Sequence, residues 1–583
     1  MKPTMKKYFA IFLSLIALSA SAQVSPSAGE YYKDPLIIST AGNYKWSSMT
    51  NNVEVSFAGS DTRFARDVVP AIPLRNEWHA TSWRGEKVHT QLLVWTKQSI
   101  PSVNYTIGEL KTSEGNIIPA DNIKLNFVRY VITDEFAGGC GYRKPKDFDS
   151  STVADVIDAV SSLPVDAKNV QPMWLSIEVP RDAAPGIYRG MLTINASKTF
   201  RLNYSISVKD HVLPPPSSWK FHLDLWQHPA AIARVHGVPL WSDRHFELMH
   251  SYYTMLASAG QKCITAAIMD EPWGHQTYDD FPGLIKWIKH SDGKWSYDYS
   301  LFDKYISFVM DCGIKESINC YSMVPWATSY RYFDEKAQKD TVLKAAIGSF
   351  EYNVYWTRML EDFTKHLKSK GWFGITTIAM DERPMKDMMV VISLLKTIDP
   401  KWKIALAGEY HPQIEKDIYD YCLASAQTFP AAVLQKRIQE GKPSTYYTCC
   451  TENYPNGFSF SPPDENVWIG WYAAAKGFTG YLRWAYNSWV AHPLIDTRFR
   501  AWPAGDTYQV YPGPRTSIRF EKLLEGIQDF EKIRILREGF VQKNEKASIE
   551  KLDALLKTFE IQKLKTIPAK DMILNAKRIL NNW

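Results

Sequence analysis

An N-terminal β-sandwich followed by a (β/α)8 barrel with C-terminal helices is predicted by three observations. Apolar residues alternate with polar ones at period two up to about residue 215, as strands with one buried face require. A triple proline in Val212-Leu-Pro-Pro-Pro-Ser-Ser218 then makes a stiff, extended link. Beyond it, short apolar runs alternate with helix-length amphipathic segments, the pattern of a parallel sheet closed into a barrel. A chain of 583 residues is also too long for one ordinary core.

Taken in order, the chain opens with Lys2, Lys6 and Lys7, an apolar run from Phe9 to Leu18, and the small residues Ala20-Ser21-Ala22. This is the pattern of a signal peptide over 1–22, with Gln23 as the first mature residue and export to the periplasm or medium. No cysteine follows the apolar run, so no lipid anchor is expected, and no later run is long enough to span a bilayer. Without the three lysines the formal charge falls from +6 to +3, mixed in sign and without a basic block. Nucleic acid and anionic membrane are therefore not expected partners.

The sandwich is placed at 23–215. Val53, Val55 and Phe57 alternate with polar neighbours, as do Leu202, Tyr204, Ile206 and Val208. Gly138-Gly-Cys-Gly141 lacks a strand-to-helix nucleotide fingerprint and is expected to be a loop. The barrel is placed at 216–516, with strands at 221–226, 262–268, 314–321, 375–380, 403–407, 425–429, 444–450 and 478–486. Helices are expected at 243–259, 299–312, 349–370, 385–397, 414–423, 431–440 and 465–476. Residues 517–583 carry helical stripes (Ile518, Leu523, Leu524, Ile527; Leu552, Leu555, Leu556, Phe559) and should pack on the barrel. Seven cysteines are too few for a disulfide framework, and Cys449 and Cys450 are expected as packed thiols; Cys312 and Cys320 are an optional pair.

Chemistry in such barrels sits at the C-terminal ends of the strands. There the fourth strand delivers two adjacent carboxylates, Asp381 and Glu382, before Pro384 starts a helix. Asp270-Glu271, after strand two, is a near duplicate that spacing alone does not reject. Other strand ends bring Trp226 and His228, Tyr321 and Trp326, Glu409, Tyr446 and Tyr447, and Trp484, Tyr486, Asn487 and Trp489. Aromatic residues make up 13% of the chain, and flat rings suit the C–H faces of sugars. Two carboxyls on opposite sides of a glycosidic bond stand about 5–5.5 Å apart in retaining glycosidases and about 6.5–9.5 Å in inverting ones. Neighbouring residues emerge from one point and suit instead a reaction in which the substrate's 2-acetamido oxygen is the nucleophile. Glu382 would then be the acid and base, Asp381 would orient the acetamido group, and a tyrosine would hold its carbonyl. No His-Glu-x-x-His, Gly-x-Ser-x-Gly or metal-ligand spacing is present, so no metal or cofactor is expected.

Met380-Asp-Glu-Arg-Pro384, Tyr446-Tyr-Thr-Cys-Cys450 and Gly480-Tyr-Leu-Arg-Trp-Ala-Tyr-Asn-Ser-Trp489 resemble glycoside hydrolase family 123, as do Pro503-Ala-Gly-Asp506, Val510-Tyr-Pro-Gly513 and Ser517-Ile-Arg-Phe-Glu521. The resemblance implies a β-sandwich, a (β/α)8 domain and an exo-acting β-N-acetylgalactosaminidase with substrate-assisted retention. It maps the family's acidic pair onto Asp381 and Glu382, and its acetamido-holding tyrosine onto Tyr447. Trp484, Tyr486 and Asn487 are carried over as substrate contacts by position; Trp326, His228 and Glu409 complete the expected site. The expected partner is a glycan or glycolipid ending in β-linked N-acetylgalactosamine. A β-N-acetylglucosaminidase of the same mechanism and a non-catalytic glycan-binding protein are the alternatives.

Overall fold

The computed structural model describes residues 46–583 apart from 137, 145–147 and 149. The segment read as a signal peptide lies outside the described residues. Two sheets pack face to face over a core that includes Phe57, Val94, Phe127, Leu175, Leu192 and Ile206. One sheet runs Val53–Ala58, Lys87–Thr96, Asn169–Glu178, Ile123–Thr133, Ser151–Asp158, and closes with Thr516–Ser517 from the far side of the barrel. The other holds Glu77–Arg84, Thr199–Val212, Gly186–Asn195, Ile100–Ile107 and Ser162–Val165. The alternation seen in the sequence is the register of these strands: Leu202, Tyr204, Ile206 and Val208 are all buried.

After the prolines, eight parallel strands form one sheet: His222–Leu225, Cys263–Ala267, Ser317–Tyr321, Thr376–Met380, Lys403–Gly408, Asp420–Ala424, Ser444–Tyr447 and Gly480–Arg483. From the second strand on, each pairs with its neighbour in chain order, and the last returns to the first. Between the first and second strands the ladder shrinks to one bridge, Leu223 with Gln261. Two side-chain amides replace the missing backbone bonds. Gln261 Oε1 accepts from Leu225 N (2.9 Å) while its Nε2 donates to Cys263 O (2.8 Å), and Gln227 Oε1 accepts from Thr265 N (2.9 Å).

Seven of the eight strands lie where the sequence puts them, and the sixth does not. Residues 414–423, expected to be a helix, form a 3₁₀ turn at Glu415–Asp417 and then the strand Asp420–Ala424, which pairs on both sides. Residues 425–429, expected to be that strand, are loop. A second departure is a four-stranded sheet in the loops after strands two and three, made of Lys286–Lys289, Trp295–Asp298, Ser329–Asp334 and Lys339–Lys344. Its first hairpin turns at Asp292-Gly293, with Gly293 at φ +83°, a short-range hairpin signal present in the sequence.

The helix Ile518–Gln542 joins the two halves. It crosses Asp464–Lys476 so closely that a Cβ on Gly470 would fall 2.0 Å from the Gly526 carbonyl oxygen, so glycine is required there. On its other side buried ion pairs reach into the sandwich. Arg519 Nε meets Asp155 Oδ2 at 2.9 Å, and the same carboxylate is held by Arg63 (3.1 Å) and the Tyr511 hydroxyl (2.6 Å). Lys532 reaches Glu86 at 2.6 Å and, just ahead of the helix, Arg515 meets Asp158 at 2.8 Å; His89, whose pKa burial lowers, is hydrogen-bonded to Glu525 at 2.8 Å. Among the described residues no helix is long and apolar enough to cross a membrane.

Candidate active site

The fourth strand, Thr376–Met380, is buried throughout, so its chain surfaces only at Asp381. Met385–Ile398 begins directly after Pro384, which leaves Asp381, Glu382 and Arg383 as a short ledge at the strand's C-terminal end. Trp326 Nε1 donates to Asp381 Oδ2 at 2.8 Å. The guanidinium of Arg383 lies 4.9 Å from the Trp326 ring centroid, so the indole is held from both sides. On the seventh strand the Tyr447 hydroxyl donates to Glu382 Oε1. Burial pushes the Asp381 carboxyl up to about 6, against the lowering pull of the Trp326 hydrogen bond and of Arg383. Burial and the Glu382 carboxylate push the Tyr447 phenol well above its ordinary range, so it stays a hydrogen-bond donor.

Below this ledge the strand ends form an apolar floor. Trp226, Ala267, Tyr321, Ala379, Ala407, Cys422, Tyr447 and Leu482 belong to one cluster, with Trp484 packed against it. Trp226, Trp273 and Tyr321 have ring centroids 4.7–5.1 Å apart. One wall is Trp484, whose Nε1 donates to Asp506 Oδ2 at 3.2 Å; Asp506 is fixed by Arg483 at 2.7 Å. Trp502 packs edge-on against Trp484, at 5.5 Å. Trp326, 47% exposed, forms a lip beside Asp381. Gly274 lets that lip sit close: its φ is +64°, and a Cβ there would stand 3.1 Å from the Cβ of Trp326.

The structure brings together Asp381, Glu382, Tyr447, Trp326 and Trp484. It does not bring His228, Asn487 or Tyr486 to the cleft surface. His228 is fully buried, stacked on Phe281 at 3.7 Å, with its Nδ1 2.9 Å from Ser488 Oγ and its pKa lowered to about 3 by burial. Asn487 is spent on the His228 backbone, accepting from its N–H and donating to its carbonyl at 2.9 Å each. Tyr486 points into the core and donates to the Tyr252 carbonyl (2.9 Å). All three follow from strands one and eight ending at Leu225 and Arg483, after which the chain folds inward. Glu409 is exposed just past the fifth strand. The duplicate pair is used locally. Asp270 accepts from Gly283 N (2.7 Å), and Glu271 accepts from His275 N (2.9 Å) and Phe281 N (2.7 Å), fastening their own loop.

The sandwich also shapes this cleft. Cys140, from the glycine cluster, is disulfide-bonded to Cys450, three residues past Tyr447, which corrects the expectation of a packed thiol at Cys450; Cys449 is a free thiol packed on the cleft floor, and Cys312 and Cys320 are free. Nearby, Arg143 Nη2 donates to the Phe499 carbonyl (3.1 Å) and to the Trp502 carbonyl. Removing the cross-link with Cys140→Ala and Cys450→Ala together is expected to cost about 2–4 kcal/mol. Denaturant unfolding of the non-reduced wild type against this variant measures it, and equal midpoints would show that the link adds nothing.

Residues 226–536 match the family model for the glycoside hydrolase 123 catalytic domain, and residues 57–196 that for the glycoside hydrolase 123 N-terminal domain. The chain belongs to glycoside hydrolase family 123. It is similar to a family 123 glycoside hydrolase from Clostridium perfringens, whose structural analysis concerned glycolipid glycan hydrolysis: 28% identity, 91% of this chain and 99% of the other, TM-score 0.80. A family 39 glycoside hydrolase from Bacteroides cellulosilyticus WH2 (12% identity, 78% and 82% covered, TM-score 0.32) and a GH5 xyloglucanase from Bacteroides ovatus (9%, 81% and 100%, 0.27) are too distant to inform the site. No curated protein matches. As a family 123 glycoside hydrolase the chain cuts glycosidic bonds.

Proposed function

We propose that this family 123 hydrolase releases terminal β-linked N-acetylgalactosamine from glycans or glycolipids with retention, using the substrate's acetamido group as nucleophile. The observation that carries this reading is the pair of adjacent carboxylates on one ledge, with a buried phenol on one member and an indole N–H on the other. Asp381 accepts the acetamido N–H and turns its carbonyl oxygen toward C1. That oxygen attacks C1 as the bond to the leaving oxygen breaks, and Glu382 gives its proton to the departing oxygen. Asp381 balances the positive charge of the cyclic oxazolinium so formed. Tyr447, which donates to Glu382 in the free enzyme, turns its hydroxyl to the acetamido oxygen. Water then attacks C1, passes a proton to Glu382, and the ring reopens with the starting configuration. The amino-terminal segment fits this as an export signal that brings the enzyme to extracellular glycans.

Side-by-side assay of β-GalNAc, β-GlcNAc and β-galactoside chromogenic substrates tests the proposal. Turnover of the first is expected, with no turnover of the galactoside, which lacks the nucleophile. Preference for β-GlcNAc would reassign the sugar, and silence on all three would make the protein a glycan binder. A thiazoline mimic of the cyclic intermediate should inhibit.

The pH profile follows from Asp381. Above about pH 6 the carboxylate is charged and can balance the oxazolinium; below it the group is protonated and activity falls. Trp326→Phe removes a hydrogen bond that lowers this pKa, so the acidic limb of kcat/KM should move up by about one pH unit. A limb that stays in place would separate Trp326 from the chemistry.

A further inference from the structure

Barrel interiors are usually filled by bulky apolar side chains. Here the layer nearest the N-terminal mouth, at the far end of the barrel from Asp381, is polar. His222, Cys263 and Asp420 are the first residues of the first, second and sixth strands. His222 Nε2 stands 3.0 Å from Asp420 Oδ2 and 3.3 Å from Cys263 Sγ, and the three donor atoms all lie within 4.8 Å of one another. Asp224, one layer higher and buried, turns its carboxylate to Asn319 Nδ2 (3.1 Å), and Asn319 is itself fixed by Thr377 (2.8 Å) and Ser317 (3.0 Å). One carboxylate and a thiol thus face a single imidazole, with the second carboxylate, Asp224, near enough to act on its charge. The nearby Lys262 is taken by Glu316 at 2.6 Å. Cys263 also differs from the other buried free cysteines: Cys312 and Cys320 sit in the main apolar core and Cys422 in the cleft floor, whereas Cys263 faces His222.

We propose that His222, Cys263 and Asp420 bind a divalent cation of the zinc class, with Asp224 or water as fourth ligand. Sulfur, imidazole nitrogen and carboxylate oxygen together are the donor set of zinc rather than of magnesium or calcium. Donor atoms now 3.0–3.3 Å apart need only small side-chain movements to surround an ion at about 2.0–2.3 Å. Binding displaces the Cys263 thiol proton to solvent and the proton of His222 Nε2 to solvent or to Nδ1, and the thiolate and Asp420 then neutralise the ion's two charges. The position gives the ion a job away from the chemistry. His222 and Cys263 lie on either side of the seam where the barrel has one backbone bridge, so the ion would join the strands that the backbone scarcely joins. Ligands drawn from residues 222, 263 and 420 leave no spacing motif in the sequence.

The test uses the untagged full-length protein, exposed to zinc and then dialysed against metal-free buffer. About one zinc per chain is expected by elemental analysis, falling below about a tenth in Cys263→Ser. Thermal unfolding should shift down on chelation and recover on zinc addition, while kcat measured well below the transition stays the same. Cobalt(II) loading of the wild type should produce thiolate-to-metal charge-transfer absorption, a readout that does not depend on any variant folding. Cobalt binding without that absorption, or zinc content below about a tenth in the wild type, overturns the proposal. So does zinc retained in full by Cys263→Ser, which would place it elsewhere, as on the exposed Glu271, His275 and Asp280 cluster.

Discussion

Glu382→Gln is expected to lower kcat/KM on natural glycosides by about 10³-fold, while aryl glycosides with acidic leaving groups lose about tenfold or less. The asymmetry is what distinguishes a general acid. A glutamine keeps the shape of the ledge and a partner for the Tyr447 hydroxyl, but has no proton to give, and only a poor leaving group needs one. Asp381→Asn should act differently, lowering kcat by about 10²–10³ on every N-acetylhexosaminide whatever its leaving group, because the lost charge stabilises the oxazolinium. Near-full activity of Asp381→Asn on such a substrate would falsify the substrate-assisted assignment. Capture of a covalent glycosyl-enzyme, with no inhibition by the thiazoline, would point to a conventional nucleophile instead.

Asp155→Asn is expected to cost about 3–5 kcal/mol of stability, though it lies far from the chemistry. Its carboxylate is fully buried and serves Arg519, Arg63 and the Tyr511 hydroxyl together. Neutralising it leaves two guanidiniums in the interior without their counter-charge. Arg519 keeps its bonds to the carbonyls of Gly457, Gly505 and Tyr508, at 2.7–2.9 Å, so it cannot swing out to water without breaking them. Denaturant unfolding followed by tryptophan fluorescence should show one transition in both proteins, displaced in the variant. Two separate transitions, with the sandwich surviving the barrel, would mean that the ion pairs do not couple the halves.

The barrel is legible in the sequence because buried strands and amphipathic helices leave different periods, and a strand that must be buried throughout, like Thr376–Met380, leaves a short run without a charged residue. The sixth strand is misread because Ile414, Ile418, Tyr421 and Cys422 are apolar at three- and four-residue spacing, which imitates a helix; pairing on both sides overrides that pattern. The inserted sheet is missed because a search for strand–helix alternation passes over hairpins, although Asp292-Gly293 announces one. At the site, carboxylates at a strand end are local features and can be read. Whether Tyr486 faces the cleft or the core depends on how the chain turns after Arg483, which no local pattern records. The Cys140–Cys450 link and the hold of Asp506 on Trp484 join residues distant in sequence, so they emerge only from the fold.

The closing of the sandwich sheet by Thr516–Ser517 has a consequence for biosynthesis. Ser151–Asp158 is made early, but the strand that covers its edge comes roughly 360 residues later, a delay of about 20–70 s at ribosomal speed. Throughout that interval the nascent chain carries an open β-edge, and Asp155 lacks Arg519. The amino-terminal half therefore cannot reach its final state until Arg519 has been made, and a truncation before Thr516 would leave the same edge open for good.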